Sequence, residues 1–342
     1  MIPHNKPSIG SEESAAITEV ISSCWIAPGE KVKQFEQAFA DYVGAKYAIA
    51  VNSGTAALTV ALKILGRMPF IAIPTYVCSA VLNAVDMSNQ QACIVDINKN
   101  DFNMEKIRVK LRPYQGVYII PYTFGVPADV ENFKIENQYI IEDCSQALGS
   151  YINGKHVGLQ GDIATFSFGP SKMITTGSGG MIVTNNKALA DKAREYIDYD
   201  KHIPAFNFGM NDLQAAMGIE QLKKLPEFLR KRREMATAYQ DICKTKGWRY
   251  QVSINCLFSD LNWYRYIVKD NCVSRLKQHL ADNGITAIIP IEQREMLHNM
   301  LGLGAENYPN AEWVAGHSLS LPIYPALTDE EFNHILDYLR SF

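Results

Sequence analysis

Apolar and polar residues follow two different periodicities through the first half of the chain. Three segments repeat their apolar positions at helical spacing, and the second of them ends at Gly44, as helices often do. These segments are SEESAAITEVISS, KVKQFEQAFADYVG and GTAALTVALKILG. The short apolar runs typical of buried strands are YAIAVNS, FIAIP, ACIVD, GVYIIPY, QYIIED, ATFSF and GMIVTN. This succession predicts an α/β fold with a large, mostly parallel sheet covered by helices, and ligands at the carboxyl ends of its strands.

The pattern changes after residue 200. A long helical stretch covers residues 212–247, and we expect it to be interrupted near Pro226. A strand at 263–269, a helix at 273–285 and a closing helix at 328–342 follow, which predicts a smaller C-terminal α/β domain. We therefore predict a large domain over residues 1–225 and a small domain over residues 226–342, with the boundary somewhere between 220 and 240.

Composition excludes several classes of protein. The chain has 342 residues, 47% of them hydrophobic, which is enough for a substantial core and about two domains. The net charge is −3 and the basic residues are scattered, so we expect neither nucleic acid nor a membrane as partner, but a small molecule. The seven cysteines are widely spaced and predict reduced thiols. The opening stretch MIPHNKPSIGSEES lacks the features of a signal peptide, so we expect a cytoplasmic protein.

The first candidate site is the turn between the strand YAIAVNS and the helix that follows it. Ser53, Gly54 and Thr55 are small, so backbone N–H groups and a hydroxyl there can reach a phosphate at the helix N-terminus. The alternative is that the turn only caps the helix, which is the commoner role of such residues.

A second candidate lies at the end of the run QYIIED. Glu142 and Asp143 place carboxylates at the carboxyl edge of the sheet, where burial without a positive partner is costly. A capping role for the following segment SQAL is an equally good interpretation. Gln146, three residues further on, can donate a hydrogen bond nearby.

The third candidate is Lys172, five residues after the strand-end Ser167 and just before the glycine-rich turn TTGSGG. An amine partly withdrawn from water can attack a carbonyl to form a Schiff base. A lone lysine is more often a solvated surface charge. Together, however, the phosphate turn, the strand-end Asp143 and the lysine supply the three groups that pyridoxal 5'-phosphate (PLP) requires.

Long ordered motifs across nearly the whole chain resemble the DegT/DnrJ/EryC1/StrS family of sugar aminotransferases, which are fold type I PLP-dependent transferases. The matching segments are IAPGEKVKQFEQAFADYVGAKYAIAVNSGTAAL, FGVPADVENF, IEDCSQALGSYINGKHVGLQGDIATFSFGPSKMITTGSGGMIVTN, NFGMNDLQAAMGIEQLKKL and LPIYPALTDEE. The resemblance implies that Lys172 holds PLP covalently and later moves a proton. It also implies that Asp143 keeps the pyridine nitrogen protonated and that Gln146 lies near the phenolic oxygen.

The same resemblance assigns the phosphate to Gly54, Thr55 and Ser167. Asn207 matches an asparagine that reaches the phosphate of the neighbouring subunit, so a homodimer with sites at its interface is expected. The alternative is that Asn207 is only a turn residue.

The chain departs from the family pattern at several positions. Gly209 stands where an arginine is common, and Ser178 replaces a glutamate in the glycine-rich turn. Counting along the motif places the ring-stacking aromatic on Cys78, with Tyr76 close by. Two family histidines are Tyr122 and Glu292 in this chain, the latter within reach of a salt bridge with Arg294.

The residues and the resemblance predict a PLP-dependent aminotransferase that moves an amino group from glutamate or glutamine to a keto sugar, most simply a nucleotide-linked one. One alternative is a PLP-dependent sugar dehydratase, although the related 3-dehydratases carry histidine at the position of Lys172. Another is a PLP-binding regulatory protein without turnover, which the departures at Gly209, Ser178, Cys78 and Glu292 would favour. The sugar, its aminated carbon, the nucleotide, the donor and the pathway stay open.

Overall fold

The computed structural model describes residues 1–105, 116–134, 138–198, 200, 206–252 and 259–342. Its helices are α1 (Ser11–Ser22), α2 (Glu30–Val43), α3 (Gly54–Leu65), α4 (Ser79–Met87), α5 (Lys187–Ile197), α6 (Asp212–Lys246), α7 (Val273–Asp282), α8 (Leu297–Met300), α9 (Pro309–His317) and α10 (Asp329–Ser341). Its strands are β1 (Tyr47–Val51), β2 (Ile71–Pro74), β3 (Ala92–Val95), β4 (Gly116–Pro121), β5 (Gln138–Asp143), β6 (Tyr151–Ile152), β7 (Lys155–His156), β8 (Ile163–Ser167), β9 (Gly180–Thr184), β10 (Arg249–Tyr250), β11 (Ser259–Asp260), β12 (Tyr266–Lys269) and β13 (Ser318–Leu321).

Seven strands form a large sheet in the order β1-β9-β8-β5-β4-β2-β3. The strands β8, β5, β4, β2 and β3 run parallel. β9 is antiparallel to both β8 and β1, so β1 points the same way as β8. The carboxyl ends of β1, β2, β4, β5 and β8 therefore meet at one edge of the sheet. The predicted α/β fold with a mostly parallel sheet is confirmed, and each strand predicted in the first half of the chain is present.

The alternation of side chains along each strand divides the core between the two faces of this sheet. On β1, Ala48 and Ala50 face an apolar cluster that contains Phe35 of α2, whereas Ile49 and Val51 face a second cluster built around α3. Burying one large apolar side chain contributes roughly 1.5–3 kcal/mol relative to exposure. Both faces are thus covered, which keeps the strand ends in a fixed arrangement.

The predicted interruption near Pro226 is wrong, because α6 runs without a break through that residue. Asn211 caps its first turn in a capping box, and Gly247 ends it in the left-handed conformation. A proline inside a helix costs about 3 kcal/mol. Buried side chains on either side of it pack against the rest of the molecule and offset that cost: Leu222, Leu225, Phe228 and Leu229.

The predicted domain boundary between residues 225 and 226 falls inside α6. Leu225 and Leu229 belong to the core of the large sheet, whereas Met235 and Tyr239 belong to a separate apolar cluster of the C-terminal region. One helix therefore serves both cores. The division into two domains at this point stays a prediction.

The C-terminal region contains a three-stranded antiparallel sheet in the order β10-β12-β13. Its later part returns to the large sheet, where Leu297 N–H donates to the Thr75 carbonyl just beyond β2. The buried His298 is 2.6 Å from Thr75 Oγ1 through Nδ1 and 2.9 Å from Glu312 Oε1 through Nε2. These contacts hold the C-terminal segment over the carboxyl edge of the sheet.

The six cysteines that the structure describes are free thiols, and Cys256 lies outside the described residues. Across the described ranges, no helix combines the length and the apolar character that a membrane span requires.

Buried histidines make the stability of this fold depend on pH. Burial lowers the pKa of His156 from 6.5 to about 4 and that of His4 to about 3, with the charge of Arg265 adding to the effect at His4. Between pH 6.5 and 4 the unfolded chain therefore binds protons at His156 that the folded protein does not. We expect the free energy of unfolding to fall over this interval, by on the order of 3 kcal/mol from His156.

Denaturant unfolding of wild type and His156→Gln between about pH 7 and about pH 4 checks this, with the exposed His334→Gln as the control. The His156 variant should show the smaller pH dependence. Equal slopes for wild type and variant would contradict the assignment.

Candidate active site

A cavity of about 290 Å³ opens at the carboxyl edge where the strands meet. Its size is close to the lower end of the range for small-molecule sites, about 300–1,000 Å³. Seven of the eight residues proposed from the sequence line it: Gly54, Thr55, Cys78, Asp143, Gln146, Ser167 and Lys172. Residues separated by more than a hundred positions in the chain thus meet in one place.

The N-terminus of α3 forms one wall of the cavity. Ser53 caps the helix, since its Oγ accepts a hydrogen bond of 3.1 Å from Ala56 N–H. A Cβ on Gly54 would lie 2.7 Å from Ser167 Cβ, and a Cβ on Gly180 would lie 2.4 Å from the Ser53 carbonyl oxygen. Glycine is therefore required for β1, β8 and β9 to approach so closely. The free N–H groups and the dipole of a helix N-terminus favour an anion at this wall.

Asp143 ends β5 with its carboxyl group buried, and it lines the same cavity. Its Oδ1 accepts a 3.1 Å hydrogen bond from Ser145 N–H. Asp143 therefore also makes the kind of local contact that a capping role for the segment SQAL predicts. Burial nevertheless raises the pKa of Asp143, against the lowering effects of Ser145 and of the Lys172 charge. A cation in the cavity would stabilise the ionised carboxylate.

Glu142, the residue before it, points away into the interior and holds the surrounding loops. Its two oxygens accept hydrogen bonds from the N–H groups of Gly158, Gln160 and Gly161 at 2.8, 2.7 and 2.6 Å. The Tyr122 hydroxyl donates a further short hydrogen bond to Oε2. Tyr122 therefore serves as a structural donor. Together these bonds fix the end of β5, and with it the position of Asp143.

Lys172 lies in the turn after β8 and is half-buried. Its Nζ is 5.7 Å from the centre of the Tyr264 ring, which comes from the C-terminal region. Burial acts to raise the pKa of Tyr264, but the charges of Lys172 and Arg265, a hydrogen bond with Ser171 and the charge of Arg232 together lower that pKa. The lysine is thus held against a polarised aromatic ring, which distinguishes it from a solvated surface lysine.

The glycine-rich turn that follows is tied to the anion-binding wall. Ser178 Oγ donates a 2.7 Å hydrogen bond to the Asn52 carbonyl, and Gln214 Nε2 donates to the Ser178 carbonyl at 2.7 Å. Ser178, which stands where the resemblance predicts a glutamate, therefore fixes the glycine-rich turn against the residues that precede α3.

Gln146 Oε1 accepts a 2.7 Å hydrogen bond from Phe124 N–H, which leaves its amide nitrogen to donate to a ligand. Cys78 lines the cavity as an exposed thiol at the start of α4. Three aromatic residues also line the cavity, Tyr76, Tyr122 and Phe124, and the fully buried Tyr76 packs edge-on against Phe124.

Asn207 is the one proposed site residue that the structure leaves out of the cavity. Its side chain is exposed, and its carbonyl accepts a 3.1 Å hydrogen bond from Asn52 Nδ2. A role in the site of a neighbouring subunit stays a prediction. At the other end of the chain, Glu292 forms the expected salt bridge with Arg294 at 3.0 Å.

Several residues near the cavity were not identified from the sequence, among them Ser145, Ile291 and Tyr264. Ser145 contacts Asp143, Ile291 lines the cavity and Tyr264 contacts Lys172. A short polar residue two positions after Asp143 was a usable signal for Ser145. No local pattern marks Ile291 or Tyr264, because they approach only through the packing of the C-terminal region.

An α/β fold whose parallel strands bring a lysine, a buried aspartate and a helix N-terminus to one cavity defines a class of small-molecule enzymes with an electrophilic cofactor. The chain belongs to the DegT/DnrJ/EryC1/StrS aminotransferase family, whose model matches residues 7–340.

Similar proteins include the GDP-perosamine synthase of Escherichia coli O157:H7, which is 30% identical over 100% of this chain and 98% of the relative. The spore coat polysaccharide biosynthesis protein SpsC of Bacillus subtilis (strain 168) is 29% identical, and the match covers 99% of this chain and 96% of that relative. Among solved structures, the aminotransferase TlmJ from Streptoalloteichus hindustanus matches with a TM-score of 0.91 and 26% identity, covering 100% and 98% of the two chains. The fold is that of sugar aminotransferases.

The buried carboxyl group of Asp143 should reduce the stability of the protein when no ligand is bound. Because burial raises its pKa above 3.8, the ionised form that dominates at neutral pH is disfavoured in the folded state. We expect Asp143→Asn to raise the free energy of unfolding at neutral pH by about 1–3 kcal/mol. The gain should shrink as the pH falls towards the ordinary aspartate pKa.

Denaturant unfolding of protein stripped of bound small molecules measures this change. Glu142→Gln is the matched control, because an amide nitrogen would face backbone donors there and lower the free energy of unfolding by more than about 2 kcal/mol. A destabilised Asp143→Asn at neutral pH would show that the carboxylate has a structural role instead.

Proposed function

We propose that this protein is a PLP-dependent aminotransferase that moves an amino group from glutamate or glutamine to the carbonyl group of a nucleotide-linked keto sugar. The observation that carries the proposal is that Lys172, Asp143 and the N-terminus of α3 line the same cavity. An amine, an acid and an anion-binding wall are the three groups that PLP requires from a protein.

The chemistry of the donor groups fits PLP. Gly54, Thr55 and Ser167 would hold the phosphate, because the N-terminus of α3 favours an anion and the glycine lets the backbone approach. Asp143 would pair with the ring nitrogen, and its buried carboxylate, whose pKa is raised, gains a cationic partner in that way. Gln146 would donate its amide N–H to the phenolic oxygen.

Lys172 Nζ would form the covalent link to the cofactor, and Tyr76 and Cys78 would lie along one side of the ring. PLP, when bound, supplies an aldehyde that captures the donor amine and a ring that accepts electron density from the α-carbon. The freed Nζ of Lys172 would take the α-proton of the donor and deliver it to the former aldehyde carbon of the cofactor within the same half-reaction, and it would move a proton in the opposite direction when the acceptor reacts. The same side chain serves as base and as acid.

The names of the relatives support a sugar as acceptor. One similar protein is described as a GDP-perosamine synthase and another as a spore coat polysaccharide biosynthesis protein. Both align with essentially the whole of this chain, which makes a nucleotide-linked keto sugar the acceptor class to test first. A homodimer, in which Asn207 serves the neighbouring site, and a cytoplasmic location stay predictions of this proposal.

Replacing Lys172 by alanine should abolish both turnover and the visible absorbance of covalently held PLP, because no other amine among the cavity-lining residues can take its place. Absorbance spectra of the purified variants after reconstitution with PLP measure this. Lys223→Ala removes an exposed lysine on α6 and serves as the control with an unchanged spectrum. Retention of the covalent band in Lys172→Ala would exclude the assigned role.

Glutamate should convert the PLP-loaded protein to the spectrum of the pyridoxamine form without any acceptor present, because the donor half-reaction is complete in itself. Glutamine is the second donor to try. Candidate nucleotide-linked keto sugars should then restore the original spectrum. A protein that binds PLP but converts with neither donor would support the alternative, a PLP-binding regulatory protein.

A further inference from the structure

Arg265, immediately before β12, brings a positive charge close to the cavity from the C-terminal region. Its Cζ lies 5.4 Å from the centre of the Phe124 ring, and Phe124 lines the cavity. The same guanidinium is 5.7 Å from the centre of the Tyr264 ring, against which Lys172 Nζ also lies at 5.7 Å. Arg265 therefore contacts one ring of the cavity lining and shares a second ring with the lysine.

This guanidinium has no acidic partner within the part of the chain that the structure describes. Its Nη1 makes only long contacts, 3.4 Å to His4 Nε2 and 3.5 Å to Ser320 Oγ. Its Nε is buried without a hydrogen-bond partner. By contrast, the half-exposed Arg194 pairs with Glu36 at 2.8 Å. A partly buried charge without a counterion is costly, so such a charge marks a place where an anionic ligand is stabilised.

The groups around Arg265 indicate an excess of positive charge. The pKa of His4 falls to about 3 through burial and through the charges of Arg265 and Arg232. The pKa of Tyr264 is lowered although this residue is buried, because the charges of Lys172, Arg265 and Arg232 act on it. Arg232 lies deeper, and its Nη1 is surrounded by acceptors, the carbonyls of Trp263, Tyr264 and Ile323 at 3.0, 3.1 and 2.7 Å, although its Nε, like that of Arg265, has no partner among the described residues. Arg265, which has only the two long contacts, is therefore the cation better placed to bind an anion.

We propose that Arg265 binds a carboxylate group of the amino donor, a subsite that rests on the proposed function. An α-amino acid carries its carboxylates a few bonds from the amine that must reach Lys172, and Arg265 shares the Tyr264 ring with that lysine. The phosphates of a nucleotide-linked acceptor are attached at the anomeric carbon of the sugar, which is not the carbon that reacts. A planar guanidinium also matches a carboxylate through two parallel hydrogen bonds.

The two half-reactions of the PLP-loaded protein separate donor from acceptor. Arg265→Gln should raise the glutamate concentration at half-saturation about 10- to 100-fold, the loss expected for a hydrogen bond to a charged group. The acceptor half-reaction and the PLP spectrum should stay unchanged. Arg265→Lys keeps the charge and should show a smaller loss, whereas the exposed Arg275→Gln, over the Phe342 ring, should match wild type.

Equilibrium binding of glutarate, a dicarboxylate without an amine, provides a readout that does not need turnover. Calorimetric titration should show weaker glutarate binding for Arg265→Gln than for Arg275→Gln, with equal unfolding midpoints for the two variants. Unchanged glutarate affinity in Arg265→Gln, or a defect confined to the acceptor half-reaction, would overturn the proposal. If the protein showed no donor half-reaction at all, the proposed function would fail, yet the glutarate titration would still decide the role of Arg265. If Arg265→Gln did not fold, the comparison of Arg265→Lys with wild type in the same titration would decide it.

Discussion

At the end of β5, one buried carboxylate joins three neighbouring segments of the carboxyl edge. Glu142 accepts hydrogen bonds from three backbone N–H groups of the loop at residues 158–161 and from the Tyr122 hydroxyl beyond β4. A buried carboxylate with four donors is satisfied only in this one arrangement, so the loop and both strand ends are held together. Asp143 follows directly in the chain, and its position in the cavity depends on that anchor.

The site gathers charges that the folded protein alone does not balance. Asp143 is buried with a raised pKa, and Arg265 has no acidic partner among the described residues. The N-terminus of α3, which lines the same cavity, presents a partial positive charge. A cationic ring, a donor carboxylate and a phosphate would complement these three features in turn. Stability is given up at such sites because the complementary charges arrive only with the ligands.

The strands and most of the site could be predicted because their signals are local. Each strand of the large sheet is a short apolar run, and Gly54, Asp143 and Ser167 stand where such runs end or a helix begins. The continuation of α6 through Pro226 could not be predicted, since buried leucines on both sides outweigh the lost hydrogen bond. Nor could counting along the motif show that Tyr76, Tyr122 and Phe124 line the cavity together with Cys78.

The sequence by itself determined the fold class and the identity of the residues at the strand ends, because apolar periodicity and turn chemistry act over a few neighbouring positions. Only the tertiary structure decided that the C-terminal region brings Tyr264 to Lys172 and Arg265 to Phe124. Those contacts join positions up to 141 residues apart. Their geometry is set by how β12 and α6 pack against the large sheet, and no local spacing in the chain encodes that packing.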